Sequence, residues 1–115
     1  MSVYYSQVAD SFEKHFLELS TKAESIHPFF APNAVAKIFD EDIQGVDNIL
    51  KKYENLLPLK KSSAKSSAQP VEGGLIYTNI FDSNGKKLIF TFEIKEVDTK
   101  DHRYGITANI ITSYD

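Results

Sequence analysis

Apolar residues recur at Val8, Phe12, Phe16 and Leu19, with Asp10, Glu13, Lys14 and Glu18 between them. Steps of three and four residues place the apolar set on one stripe, which predicts an amphipathic first helix with an aromatic face toward a core. Ser20-Thr21 offers an N-cap to a second, short helix, and Glu24, three residues beyond Thr21, completes a capping-box pattern. Pro28 ends that helix, because residues before proline avoid the helical region, and Phe29 and Phe30 close the core there. Ala31-Pro32-Asn33 reads as a turn, followed by a short strand through Val35, Lys37 and Phe39. Asp40-Glu41-Asp42 with Gly45 forms a second turn or hairpin. A third helix follows from about Val46 to Leu57, with Val46, Ile49, Leu50, Tyr53 and Leu57 on one face and Pro58 as its stop.

From there the period changes from helical to alternating. Ile76 to Phe81 and Leu88 to Val97 are β-branched and aromatic, and Asp82-Ser83-Asn84-Gly85 between them is a hairpin signal. Tyr104 to Tyr114 is a third long strand, entered through Asp98-Thr99-Lys100-Asp101. Lys60 to Gln69 is rich in serine, alanine and lysine. By composition it is a flexible linker, or else a strand whose small side chains leave room for something packed against it. Helices followed by an antiparallel meander indicate an α+β domain with helices on one face of a curved sheet.

Alternation separates the two faces of that sheet. Leu75, Tyr77, Phe81, Leu88, Phe90, Phe92 and Ile94 point one way, and their bulk assigns them to the helix side. Ile76, Thr78, Ile80, Ile89, Thr91, Glu93, Lys95, Ala108, Ile110 and Thr112 point the other way. A one-sided antiparallel sheet can keep such a face wet with threonine and lysine. This one carries isoleucine on every strand, and contiguous apolar surface of that kind marks an interface. Ile76, Thr78, Ile80, Ile89, Thr91, Ala108, Ile110 and Thr112 are therefore the expected partner-contacting residues.

Composition narrows the function further. A chain of 115 residues with 42% hydrophobic and 25% charged residues reads as one globular domain spanning residues 1–115. Without cysteine there is no disulfide, no thiolate nucleophile and no cysteine-held metal. The start, Met1-Ser2-Val3-Tyr4-Tyr5, lacks the basic and apolar pattern of a secretory signal, and no apolar run suits a membrane span, so a cytosolic or nuclear protein without a membrane partner is expected. The net charge of −3 argues against nucleic acid as the main ligand, although Lys51, Lys52, Lys60, Lys61 and Lys65 cluster. His15, His27 and His102 are scattered and form no HExxH pair, Glu72-Gly73-Gly74 is a turn rather than a phosphate cradle, and Asp40-Glu41-Asp42 belongs to a polar turn. No catalytic residue, metal ligand or cofactor is assigned.

One family pattern runs along nearly the whole chain. Phe29 to Phe39, Ile43-Gln44-Gly45 with Ile49-Leu50, and Tyr53 to Leu57-Pro58 follow in the order and spacing of the nuclear transport factor 2 family, and Phe90-Thr91-Phe92 and Ile106 to Thr112 fall in register with its last two strands. The chain thus resembles that family, which implies a curved antiparallel sheet forming a cone with helices on its concave face, and makes Lys60 to Gln69 a strand. The family holds enzymes, a homodimeric carrier of GDP-bound Ran and binding subunits, so the fold does not decide the activity. The carrier's repeat-binding tryptophan falls near Ile38, and its acidic Ran-binding loop falls near Asp82 to Lys87, where Lys86 and Lys87 invert the charge. Isomerase relatives place a carboxylate inside the cone, where this sequence is expected to offer apolar residues. The pattern is most similar to the small subunit of the mRNA export receptor. That similarity implies a non-enzymatic subunit that pairs its sheet with a related domain of a larger partner, helps to bind phenylalanine-glycine repeat nucleoporins, meets RNA indirectly or weakly, and shuttles between nucleus and cytoplasm. The family's export subunit has an arginine where Thr112 stands, so recognition here is expected to rest on area and shape. The alternative is the homodimeric import carrier.

Overall fold

The computed structural model describes residues 2–62, 66–98, 100–101 and 103–114, with side chains from Gln7 onward. The order of elements is α1 (Ser2–Leu19), α2 (Ala23–Ile26), a 3₁₀ turn (His27–Phe29), β1 (Phe30–Ile38), β2 (Glu41–Gln44), α3 (Val46–Tyr53), β3 (Leu59–Lys61), β4 (Ser67–Val71), β5 (Gly74–Ser83), β6 (Lys86–Asp98) and β7 (Arg103–Ser113). The strands form one mixed, curved sheet in the order β2-β1-β7-β6-β5-β3, with β4 also paired to β5. Every pair is antiparallel except β1 with β7, which run parallel.

The long hairpin β5–β6 is the frame. Ten consecutive register pairs run from Gly74↔Lys95 to Ser83↔Lys86. Its tight turn is possible because Asn84 and Gly85 both take positive φ, 54° and 87°, as the mirror-image hairpin turn requires. At the other end Gly74 lies so close to β6 that an added Cβ would stand 1.9 Å from the Ile94 carbonyl oxygen, so only glycine fits there. The Ser/Ala-rich segment is strand on both sides of residues 63–65: β3 pairs the far half of β5 and β4 pairs the near half. Ser63, Ala64 and Lys65 lie outside the described residues, as do Thr99 and His102.

Three local expectations are corrected. Ala31-Pro32-Asn33 is not a turn but part of β1, which is accommodated by a register irregularity between Phe30 and Val35 along β7. The capping box is not formed: Lys22 takes the N-cap position of α2 without a side-chain cap bond, and Thr21 precedes it. The third helix stops at Tyr53 rather than Leu57. The next residues tighten into a turn in which the Leu56 and Leu57 amides donate to the Tyr53 carbonyl at 2.8 and 3.1 Å, so Leu56 enters the core ahead of Leu57.

One apolar core lies between the helices and the concave face. Phe92 sits at its centre, with ring centroids 5.1 Å from Phe12 and 5.2 Å from Phe16, and Phe90 and Tyr77 stack beside it. Leu75, Tyr77, Phe81, Leu88, Phe90, Phe92 and Ile94 are all buried, as the alternation requires. Phe29 and Phe30 close this core at the 3₁₀ turn, edge-on to Phe16 and Tyr53 respectively.

Candidate functional site on the outer face of the sheet

The eight residues expected on the outer face come together in rows across the strands. One row runs Ile76–Glu93–Ala108–Val35, the next Thr78–Thr91–Ile110–Lys37, and the third Ile80–Ile89–Thr112. Parallel and antiparallel neighbours in register share a face, so each row is a line of adjacent side chains. Ile76, Thr78, Ile80, Ile89, Thr91 and Ala108 are half-buried by one another, whereas Ile110 at the centre is 47% exposed and Thr112 is exposed. Thr78 and Thr91 hydroxyls lie 3.3 Å apart, satisfying each other within the patch.

Two apolar residues of this face escape a reading of the sequence. Val35, 45% exposed, extends the first row onto β1. Phe39, 44% exposed, stands at the β1–β2 turn, where its amide donates to the Ile111 carbonyl at 3.1 Å. Val35 joins the patch because β1 runs parallel to β7, a pairing between strands far apart in the chain, and Phe39 follows its last register pair, Ile38↔Ile111. The local signal is the alternation of Val35, Lys37 and Phe39 with Ala34, Ala36 and Ile38 in the expected strand. Phe39 and Asp40 form a two-residue turn closed by the pair Ile38↔Glu41, with φ of 49° and 74°. A bulky residue in the left-handed region is strained, so an exposed aromatic ring is held there against its own backbone preference.

The concave face is not purely apolar. Glu13, which the helical pattern places among solvent-facing positions, is buried. Its carboxylate accepts hydrogen bonds from the Tyr77 hydroxyl and the Asn79 amide, and Lys61 Nζ lies 3.1 Å from its second oxygen. The Asn79 amide also donates to the Tyr77 oxygen at 2.9 Å, and its carbonyl accepts from the Ile80 amide at 2.7 Å. Burial, reinforced by the hydrogen bond to Glu13, pushes the Tyr77 phenol well above its ordinary range. A second buried link joins α3 to the sheet. The Tyr53 hydroxyl donates to Asn109, whose amide donates to the Thr91 carbonyl at 2.9 Å, and burial raises the Tyr53 phenol strongly as well. Among the described residues no buried side-chain nitrogen or oxygen lacks a partner.

An open groove of about 530 Å³ lies between α1 and the start of β7, walled by Val8, Phe12, Leu19, Phe29, Tyr104 and Ile106. Glu13 is not among its lining residues. The acidic triplet is exposed; its central Glu41 pairs with Lys52 at 2.9 Å. His15 is exposed on α1, 2.8 Å from the Ser11 carbonyl, and lines the groove together with Ser11, and His27 is 3.6 Å from Asp47.

With this geometry in hand, likeness to solved structures is informative. Nuclear transport factor 2 of Cryptosporidium parvum superposes with a TM-score of 0.75 at 15% identity, covering 95% of this chain and 94% of that one. The chain has a nuclear transport factor 2-like fold. A ketosteroid isomerase-like protein of Parabacteroides distasonis matches with a TM-score of 0.68 at 16% identity, over 91% of this chain and 84% of that chain. A de novo designed protein with a curved β-sheet matches with a TM-score of 0.71 at 12% identity, over 94% and 99%. Neither a protein-family profile nor a curated protein matches the sequence. A nuclear transport factor 2, a ketosteroid isomerase-like protein and a designed scaffold thus share this architecture, and function has to be argued from the site.

Proposed function

We propose that this chain is a non-enzymatic interaction subunit whose outer sheet face pairs with the sheet of a second nuclear transport factor 2-like domain. The observation that carries this reading is the exposed Ile110 at the centre of a continuous apolar and threonine-lined face. The interior supports it: the Glu13 carboxylate is engaged by three donors, which suits a structural role. On the resemblance of the sequence, the partner is the larger subunit of the mRNA export receptor. The pair would present a pocket to phenylalanine-glycine repeats and shuttle between nucleus and cytoplasm, with RNA carried indirectly. The homodimeric carrier of GDP-bound Ran is the less suited alternative, because Lys86 and Lys87 are exposed at the β5–β6 turn where an acidic surface would be needed.

The test is to mix the purified chain with the nuclear transport factor 2-like domain of a large mRNA export subunit, and separately with GDP-bound Ran, and to measure mass by light scattering after gel filtration. A one-to-one complex with the export domain is expected, and Ile110→Glu is expected to abolish it without lowering the melting temperature. Absence of that complex, or binding to Ran instead, refutes the reading.

A further inference from the structure

We infer that Glu93 selects the partner of this face: the docked domain has to present a lysine or arginine side chain opposite the Glu93 carboxylate. The inference rests on the reading of the outer face as a docking surface, and adds to it the charge that its occupant must carry.

Glu93 is the acid of an otherwise apolar row. Ile76 lies on one side of it, Ala108 and then Val35 on the other, and Thr91 precedes it on the same face. Its side chain is 36% exposed, so these neighbours already shield much of it from water. The β6–β7 register skips at this level: Ala108 faces Glu93 and Ile106 faces Ile94, which leaves Thr107 as an extra residue in β7. That extra residue aims the acid. Thr107 Oγ1 donates to one carboxylate oxygen at 2.7 Å and approaches the Glu93 carbonyl at 3.2 Å, so the bulge ties the carboxylate down over the sheet.

The chain's own cations do not neutralise this acid once the face is covered. Lys95 Nζ is 3.9 Å from the second carboxylate oxygen, at the limit of an ion pair, and its side chain is 42% exposed beyond the Ile76 row. Lys37 stands two strands away, in the next row, on the far side of β7. A partner sheet laid on the Ile76 row strips water from the carboxylate, and a single threonine hydroxyl does not replace it. A buried carboxylate is tolerated when it is both hydrogen-bonded and paired with a cation, and is strongly unfavourable otherwise. A cation on the partner, meeting the oxygen that Thr107 leaves free, supplies the missing half. An apolar or acidic residue at that point is rejected, which is how a fixed charge discriminates between partners of similar shape. Thr112, where the family's export subunit has an arginine, offers no charge. The charge held in place on this face is thus an acid on β6, and the partner has to supply the base.

The experiment titrates the purified nuclear transport factor 2-like domain of a large mRNA export subunit into the chain by calorimetry, for wild type, Glu93→Gln, Glu93→Lys and Lys95→Met. Glu93→Gln keeps the shape of the side chain but leaves the partner's cation unpaired, and is expected to weaken the complex by about tenfold or more. Glu93→Lys places like charges together and is expected to weaken it further. Each lysine and arginine on the sheet face of the export domain is then changed in turn to glutamate, and one of these variants is expected to restore binding to Glu93→Lys. Lys95→Met is expected to change the affinity by no more than about twofold, as for an exposed, loosely held pair. The substitutions are at solvent-accessible sites, and unchanged thermal melts verify that the variants fold. Glu93→Gln binding as tightly as wild type overturns the inference, as does a panel in which no partner variant rescues Glu93→Lys. A loss for Lys95→Met equal to that for Glu93→Gln also overturns it, because the counter-charge is then the chain's own lysine. A wild-type chain that forms no complex refutes the docking reading itself, a result distinct from a complex that forms and ignores Glu93.

Discussion

The two faces of β5, β6 and β7 come from the same residues taken alternately, yet they are built on opposite rules. The concave face carries Tyr77, Phe81, Phe90 and Phe92, each fully buried against the helices, and its polar groups, Glu13, Asn79 and Asn109, all have partners. The convex face carries isoleucine and threonine, is half-wet, and leaves Lys37 and Asp42 exposed. A residue on the concave face is therefore held by many contacts and acts on stability. A residue on the convex face is held by few and is free to act on association. The comparison is testable because a single step along a strand moves between the two regimes.

The largest effect is expected at Phe92, the ring on which Phe12 and Phe16 converge. Phe92→Ala removes a buried aromatic and leaves a cavity, and should cost about 3–5 kcal/mol in urea unfolding. Thr91, its neighbour in sequence, faces outward beside Ile110, and Thr91→Ala should cost well under half as much. Loss of partner binding by Phe92→Ala at unchanged stability would mean that the faces are reversed.

How much of this was legible in advance follows from the range of the interactions. The period of two along β5 and β6 is local, so the division of Leu75, Tyr77, Phe90 and Phe92 from Ile76, Thr78, Ile89 and Thr91 could be read directly from the order of residues. The pairing of β1 with β7 could not. It joins strands separated by most of the chain, and no turn announces it, so the order of residues does not place Val35 and Phe39 beside Ala108 and Thr112. Glu13 was unreadable for a related reason. The stripe of Val8, Phe12 and Phe16 assigns it to a flank, and only Tyr77 and Asn79, 64 and 66 residues away, draw it inward. The Ser/Ala-rich stretch is linker or strand by composition alone, and the family resemblance makes it a strand; it pairs with β5 in two pieces, β3 and β4.

Glu13 gives the intermediate effect. Glu13→Ala leaves the Tyr77 hydroxyl and the Asn79 amide without their shared acceptor and frees Lys61, which should destabilise the chain by about 1–3 kcal/mol. Association through the convex face should be unchanged, since the site lies on the other side of the sheet. An undiminished stability would show that water replaces the carboxylate easily, and that the concave face is less closed than its contacts imply.

The smallest effect is expected to have the opposite sign. Phe39 takes a φ of 49° in a turn that suits asparagine or glycine, and it packs too loosely to be repaid within one chain, being 44% exposed. Phe39→Asn should therefore stabilise the isolated chain by up to about 1 kcal/mol in urea unfolding, by relieving the left-handed strain. It should also weaken association through the convex face, because the ring is part of the apolar surface that a partner covers. A substitution that improves the fold while harming the complex would separate the two faces by function and not only by position. If Phe39→Asn instead destabilises the chain, the ring is held by the core, and the convex patch ends at Thr112.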